Sequence, residues 1–222
     1  MNYATDTSPI VLDIETCGLP NAADYLEPVT PDSRLKDPDK IAADIAAKTA
    51  ARLERLGLDW NVGRIVALGW WTYPDGLVTR LCSHEDTESA DLVEFWNVAK
   101  GRTIVTFNGR AFDLPFLMQR SRFLGIPHPT LDLRPYEGGR GNIDLWLELT
   151  FGRKDTPCMR TTLGAFCKRF GIPVDDTVSG KDIGALVEAG EWAAIESHVR
   201  SDVEATVALA RRLLCCSRIR IW

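Results

Sequence analysis

Short β-branched runs and longer helical stripes alternate along this chain, and their order predicts an α/β fold with a mixed sheet. Val11-Leu12-Asp13-Ile14-Glu15-Thr16 reads as a buried strand broken by two acids, and Ile10–Ile14 is expected as the first strand. The loop signals of Thr16–Asp37 follow. Asp37-Pro38 then marks a helix start, with Asp as N-cap and Pro at the first helical position. Ile41, Ile45, Lys48, Arg52 and Leu56 give the helix Asp39–Leu56 only a thin apolar stripe, so it is expected on the surface as an insertion over about residues 38–57. Arg64–Tyr73 and Leu77–Cys82 flank the hairpin signal Pro74-Asp75-Gly76. Ser83 with Asp86 resembles a capping box, before a helix with Leu92, Phe95, Trp96 and Ala99 on one face. Thr103–Phe107 predicts another strand, Asn108-Gly109 a turn, and Asp113 a cap for a helix through Leu124. Thr130–Leu133 is expected as a short last strand. Helices are expected over Asn142–Phe151, Thr161–Phe170, Asp182–Ala189 and roughly Glu191–Cys216, the first three each followed by glycine.

Composition narrows the class without choosing a function. The 222 residues suit one domain, expected to span residues 1–222, and 45% hydrophobic with 26% charged residues is ordinary for a soluble globular chain. A net charge of −5 excludes a broad basic coat, so any nucleic acid would be held locally. Cys17, Cys82, Cys158, Cys167, Cys215 and Cys216 show no zinc spacing and no disulfide framework, and read as reduced thiols of a cytoplasmic protein. No apolar run reaches membrane-spanning length, and Met1–Ser8 is too polar for a secretory signal.

The acids carry the chemistry. In an extended chain Asp13 and Glu15 share a face, about 7 Å apart. Two buried carboxylates repel and lose hydration, and a hard divalent cation answers both problems. Asp113 falls at a strand-to-helix turn, where open α/β sheets place ligands, although an Asp there also serves as a cap. On the last helix Ile195, Val199, Val203, Thr206 and Ala210 form one stripe, with Asp202 at its edge and His198 one turn earlier. Together these supply enough carboxylate for two divalent ions about 3.5–4 Å apart, an arrangement suited to phosphoryl displacement.

In that order the motifs resemble the DEDD (DnaQ-like) superfamily of 3′–5′ exonucleases, which have a ribonuclease H-like fold. Asp13-Ile14-Glu15-Thr16 is similar to its first motif, Asn108–Leu117 to its second, and His198–Thr206 to its third. Arg64–Gly69 and the stretch from Thr162-Leu163 to Phe170-Gly171-Ile172-Pro173 resemble the proofreading exonuclease domains of family B polymerases and their stand-alone relatives. The resemblance implies a central sheet of about five strands flanked by helices. It also implies two Mg²⁺ or Mn²⁺ ions: Asp13, Glu15 and Asp202 would hold one, Asp13 would bridge to the second, and Asp113 would support that second ion. The histidine subclass has four residues between its histidine and last aspartate, and the tyrosine subclass has three after its tyrosine. His198 stands at the tyrosine spacing, where the side chain would orient or deprotonate the attacking water. Thr16 to Leu19 would wedge against the terminal base, and Asn108 and Phe112 would contact terminal nucleotides. Lys181 and Arg160 read as solvated rather than phosphate-bound, Asp144 as an N-cap, and Arg211, Arg212, Arg218 and Arg220 as charges suited to a helix end.

The function expected is metal-dependent removal of nucleoside monophosphates from the 3′ ends of single-stranded DNA. Trimming of RNA 3′ ends and a non-catalytic nucleic-acid-binding module are the alternatives.

Overall fold

The computed structural model describes residues 8–134, 141–152, 161–174 and 178–216. Its sheet is built on β1 (Ile10–Gly18), which carries the two acids in a strand buried for most of its length. β2 (Gly63–Thr72) pairs antiparallel with β1, and β3 (Gly76–Leu81) extends the hairpin. On the other side β4 (Ile104–Thr106) and β5 (Asn142–Asp144) add in parallel, giving the order β3-β2-β1-β4-β5. β1 therefore lies at the centre, where apolar side chains cover both of its faces.

Those faces split by residue parity. Ile10, Leu12 and Ile14 pack with Ile65, Leu68 and Trp70 against α2 (Glu85–Ala99) and α3 (Asp113–Phe123). Val11 and Cys17 point the other way, toward α5 (Leu163–Phe170), α6 (Ile183–Ala189) and α7 (Trp192–Cys216). The helix face predicted from Leu92, Phe95, Trp96 and Ala99 is buried, and so is the α7 stripe Ile195, Val199, Val203, Thr206 and Ala210.

The expected insertion forms α1 (Pro38–Leu53), with the Asp37 carboxylate accepting from Asp39 N and Lys40 N and no residue of the helix buried. A 3-10 turn at Leu56–Leu58 ties it to β1. There the Thr16 hydroxyl donates to Gly57 O at 2.5 Å. A Cβ on Gly57 would lie 3.0 Å from Thr16 O, and one on Gly18 would lie 2.8 Å from Leu56 Cβ. The approach is close enough to require glycine on both sides.

Several expected boundaries move. β1 runs four residues past Ile14, because its pairing with β2 continues across an irregularity between Glu15 and Thr16. Thr130–Leu133 forms no strand. The last strand is Asn142–Asp144, in register with Ile104–Thr106, and the helix expected from Asn142 begins at Leu145 as α4 (Leu145–Thr150). The cap before α2 is His84 with Thr87, not Ser83 with Asp86. Among the described residues no helix is long and apolar enough to cross a membrane. Cys17, Cys82 and Cys167 are buried, while Cys158 lies outside the described residues.

Candidate active site

The two acids of β1 interrupt the α7-facing side of the sheet, between Val11 and Cys17. Asp13 pairs in register with Gly69 of β2. A Cβ on Gly69 would sit 2.9 Å from Val203 Cγ2 and 3.0 Å from Val199 Cγ2, so the missing side chain lets α7 close onto the sheet at the level of Asp13. His198 and Asp202 each precede one of those valines, and they stand one helical turn apart on a shared face. The packing that buries the valines thereby carries the histidine and the aspartate over the strand acids. His198 Nε2 lies 3.3 Å from Glu15 Oε1, and ligand atoms of Glu15, His198 and Asp202 all fall within 4.8 Å of one another.

Asp113 arrives from the opposite layer, at the first position of α3. It is not the cap that its sequence position suggests: Phe112 is the N-cap residue and makes no side-chain cap bond. Only 5% exposed, Asp113 joins Asp13, Glu15, His198 and Asp202 in lining one cleft of about 900 Å³.

The electrostatics follow from this crowding. Burial, then the charges of Asp113, Glu15 and Asp202, hold the Asp13 carboxyl well above the usual range. Burial, then Asp202 and Asp113, do the same to Glu15. Asp113 is pushed up to about 7, first by burial and then by Asp144 and Asp202, against backbone N–H groups of its own residue and Ile14 that favour its charge. Among the described residues, His198 and Lys168 are the only basic side chains in the cleft lining. Converging oxygen donors that resist ionisation together are a donor set for a hard divalent cation, so the residues fit the metal ions the motifs imply.

Of the other expected site residues, Asn108 and Phe112 line the cleft, and the Phe112 ring also packs tilted against Phe116, 5.6 Å between centroids. Thr16 and Leu19 are not part of that lining. Thr16 spends its hydroxyl on Gly57, and the Leu19 N–H donates to Val62 O. Lys181 is exposed, as expected, whereas Arg160, Arg218 and Arg220 lie outside the described residues. Arg211 sits over the Trp71 ring at 5.0 Å, and Arg212 is exposed.

Sequence reasoning undervalued Asp144. Its carboxylate caps α4 through Trp146 N and also accepts from Asn108 N at 2.8 Å and Arg110 N at 3.0 Å. It therefore holds the turn where Asn108 takes the left-handed φ of 63°. The Arg110 guanidinium braces the same turn from outside through Asn142 Oδ1 and Asn142 O. The signal available was the pairing of Asp144 with Thr106 across β4 and β5, which places it beside the Asn108 turn once the strand is recognised. Lys168, Trp146 and Thr162 also line the cleft, and their approach depends on how α4 and α5 pack.

Comparison with known proteins bears on the fold and the superfamily. No curated protein matches the chain. The structure of the family B DNA polymerase from the hyperthermophilic archaeon Pyrobaculum calidifontis superposes with a TM-score of 0.61 at 18% identity, over 96% of this chain and 25% of the polymerase. The chain thus spans about a quarter of that protein, and an identity so low speaks to the fold alone. The fold is the one expected from the motifs, and the polymerase is of the family whose exonuclease domains they resemble. The model of the RNase H superfamily matches residues 53–214, well over half of the chain, and the protein belongs to that superfamily.

Proposed function

We propose that this protein is a metal-dependent 3′–5′ exonuclease acting on single-stranded DNA and releasing nucleoside monophosphates. Membership of the RNase H superfamily, whose nucleases generally use divalent metals, supports a nuclease and so a hydrolase. The observation that carries the finer reading is the convergence of Asp13, Glu15, Asp113 and Asp202, from three separate elements, in one open cleft.

Asp13, Glu15 and Asp202 would hold one Mg²⁺ or Mn²⁺ ion, with Asp13 and Asp113 directed at a second. When bound, such ions provide a nucleophile at neutral pH and stabilise both oxygens of an in-line displacement. The protein's part is to gather the donors and to present the strand. Without cations the acids repel a phosphodiester, so binding of ions and of substrate reinforce each other. Phe107, Phe112 and Trp146 give the cleft aromatic faces for unstacked bases, and Asn108 offers an amide at its rim. A duplex cannot offer separated bases to such faces, which favours a frayed or single-stranded end. The substrate preference and the 3′–5′ direction rest on the motif resemblance.

The test is incubation of the protein and its Asp13→Ala variant with 5′-labelled single-stranded DNA and a matched RNA, in Mg²⁺, Mn²⁺ or EDTA. The expected result is a metal-dependent ladder shortening from the 3′ end, faster on DNA and absent in the variant. A faster ladder on RNA would make the protein an exoribonuclease. Intact strands under every metal would refute the catalytic reading.

A further inference from the structure

We propose that His198 is itself a metal ligand, joining Glu15 and Asp202 around one cation, and that this position therefore prefers Mn²⁺ and later transition metals to Mg²⁺. The inference rests on the reading that the cleft holds metal, and it departs from the water-directing role that the motif resemblance implies for this side chain.

Three observations carry it. The first is position: an ion shared by Glu15 and Asp202 must lie between their oxygens, and a ring nitrogen of His198 lies within the same 4.8 Å cluster. The second is spacing. Two ligands about 2.1 Å from one ion and about 90–110° apart stand about 3.0–3.4 Å from each other. The Nε2–Oε1 separation of 3.3 Å falls in that span, and it is longer than the ~2.7–2.9 Å of a good charge-assisted hydrogen bond. The third is the state of the ring. The His198 side chain is only 10% exposed, and Nδ1 is buried with no hydrogen-bond partner among the described residues. With Nδ1 buried, Nε2 is the ring nitrogen presented to the cleft, and it lies beside the Glu15 carboxylate.

The consequence is a pair of unlike positions. Asp13 and Asp113 offer oxygen alone, which suits Mg²⁺. Glu15, Asp202 and His198, with the shared Asp13, offer carboxylate oxygens and an imidazole nitrogen, a set that suits Mn²⁺, Co²⁺ or Zn²⁺. The three-residue spacing between His198 and Asp202 has a direct structural meaning. It puts both side chains on one face of α7, one turn apart, where they can reach a common ion.

The experiment is pulsed electron paramagnetic resonance on the full chain loaded with Mn²⁺, together with calorimetric titration of Mn²⁺ and Mg²⁺ into the wild type and His198→Gln. Directly ligated imidazole nitrogen couples to the manganese spin and modulates the echo at ¹⁴N frequencies. The expected result is that modulation in the wild type and its loss in His198→Gln. Mn²⁺ affinity should fall by about tenfold or more in the variant, while Mg²⁺ affinity changes by less than about threefold. Bound Mn²⁺ without ¹⁴N coupling in the wild type would overturn the inference and leave a metal-dependent nuclease standing. Coupling that persists in His198→Gln would overturn it too, by assigning the nitrogen elsewhere. Failure to bind Mn²⁺ at all would remove both the inference and the metal reading beneath it. An absence of ¹⁴N coupling in the wild type overturns the inference even if the variant folds poorly.

Discussion

Replacing Asp113 by Asn should make the metal-free protein more stable at neutral pH, and the gain should vanish in acid. Burial and neighbouring carboxylates raise the Asp113 pKa from 3.8 to about 7. A group whose folded pKa is raised contributes stability below its unfolded pKa and loses it as pH rises through the folded value. At 1.36 kcal/mol per pH unit, the ionised carboxylate costs the folded state about 4 kcal/mol above pH 7 and about 1 kcal/mol near pH 4.5. Any fixed effect of the amide on packing is the same at both pH values, so the difference isolates the charge. Urea unfolding of wild type and Asp113→Asn in EDTA, followed by tryptophan fluorescence, should show a variant advantage about 3 kcal/mol larger at pH 7.5 than at pH 4.5. Added Mn²⁺ should favour the wild type and narrow the gap, because the cation relieves the same repulsion. An advantage equal at both pH values, or a variant less stable than wild type by the same amount at each, would refute the reasoning.

Other predictions test how the site is held in place. Gly69→Ala should cost about 1–3 kcal/mol in urea unfolding, because its Cβ meets the buried Val199 and Val203, and it should depress nuclease activity at temperatures where the variant stays folded. Asp144→Ala should orphan the N–H groups of Asn108, Arg110 and Trp146 and cost about 2 kcal/mol or more, with a rise in KM for single-stranded DNA. Far from the cleft, buried Glu88 accepts two bonds from Arg120 and one from Ile65 N. Glu88→Ala leaves that guanidinium only the exposed Glu85 carboxylate at 4.0 Å and should cost about 3–5 kcal/mol; a loss under about 1 kcal/mol by thermal or urea unfolding would show that Glu85 takes over the charge.

Periodicity located most elements because it reports local geometry. The α7 stripe, the α2 face and the β2–β3 hairpin all follow from residue spacing, and the three acidic motifs were recognisable with their strand and helix settings. Asn142–Asp144 was misread because a three-residue strand has too little alternation to outweigh the helical pattern after it. Its identity comes from β4, whose free edge supplies the partners. The cap role expected of Asp113 failed for a related reason: side-chain direction at a helix start depends on what the layer below offers, and here that is the acidic cleft.

What the residues dictate locally is the inventory: which side chains can ionise, which faces are apolar, and where the chain turns. Their meeting is a long-range matter. Glu15 and His198 are distant in sequence, and only the packing of α7 against Gly69 brings them to 3.3 Å. No spacing rule encodes that approach, because it depends on the absence of a single Cβ on a different strand. The raised carboxyl pKa values, the burial of His198 and the grip of Asp144 on the Asn108 turn all follow from it or from the sheet order. They arise from desolvation and charge proximity, which exist only once the layers have closed.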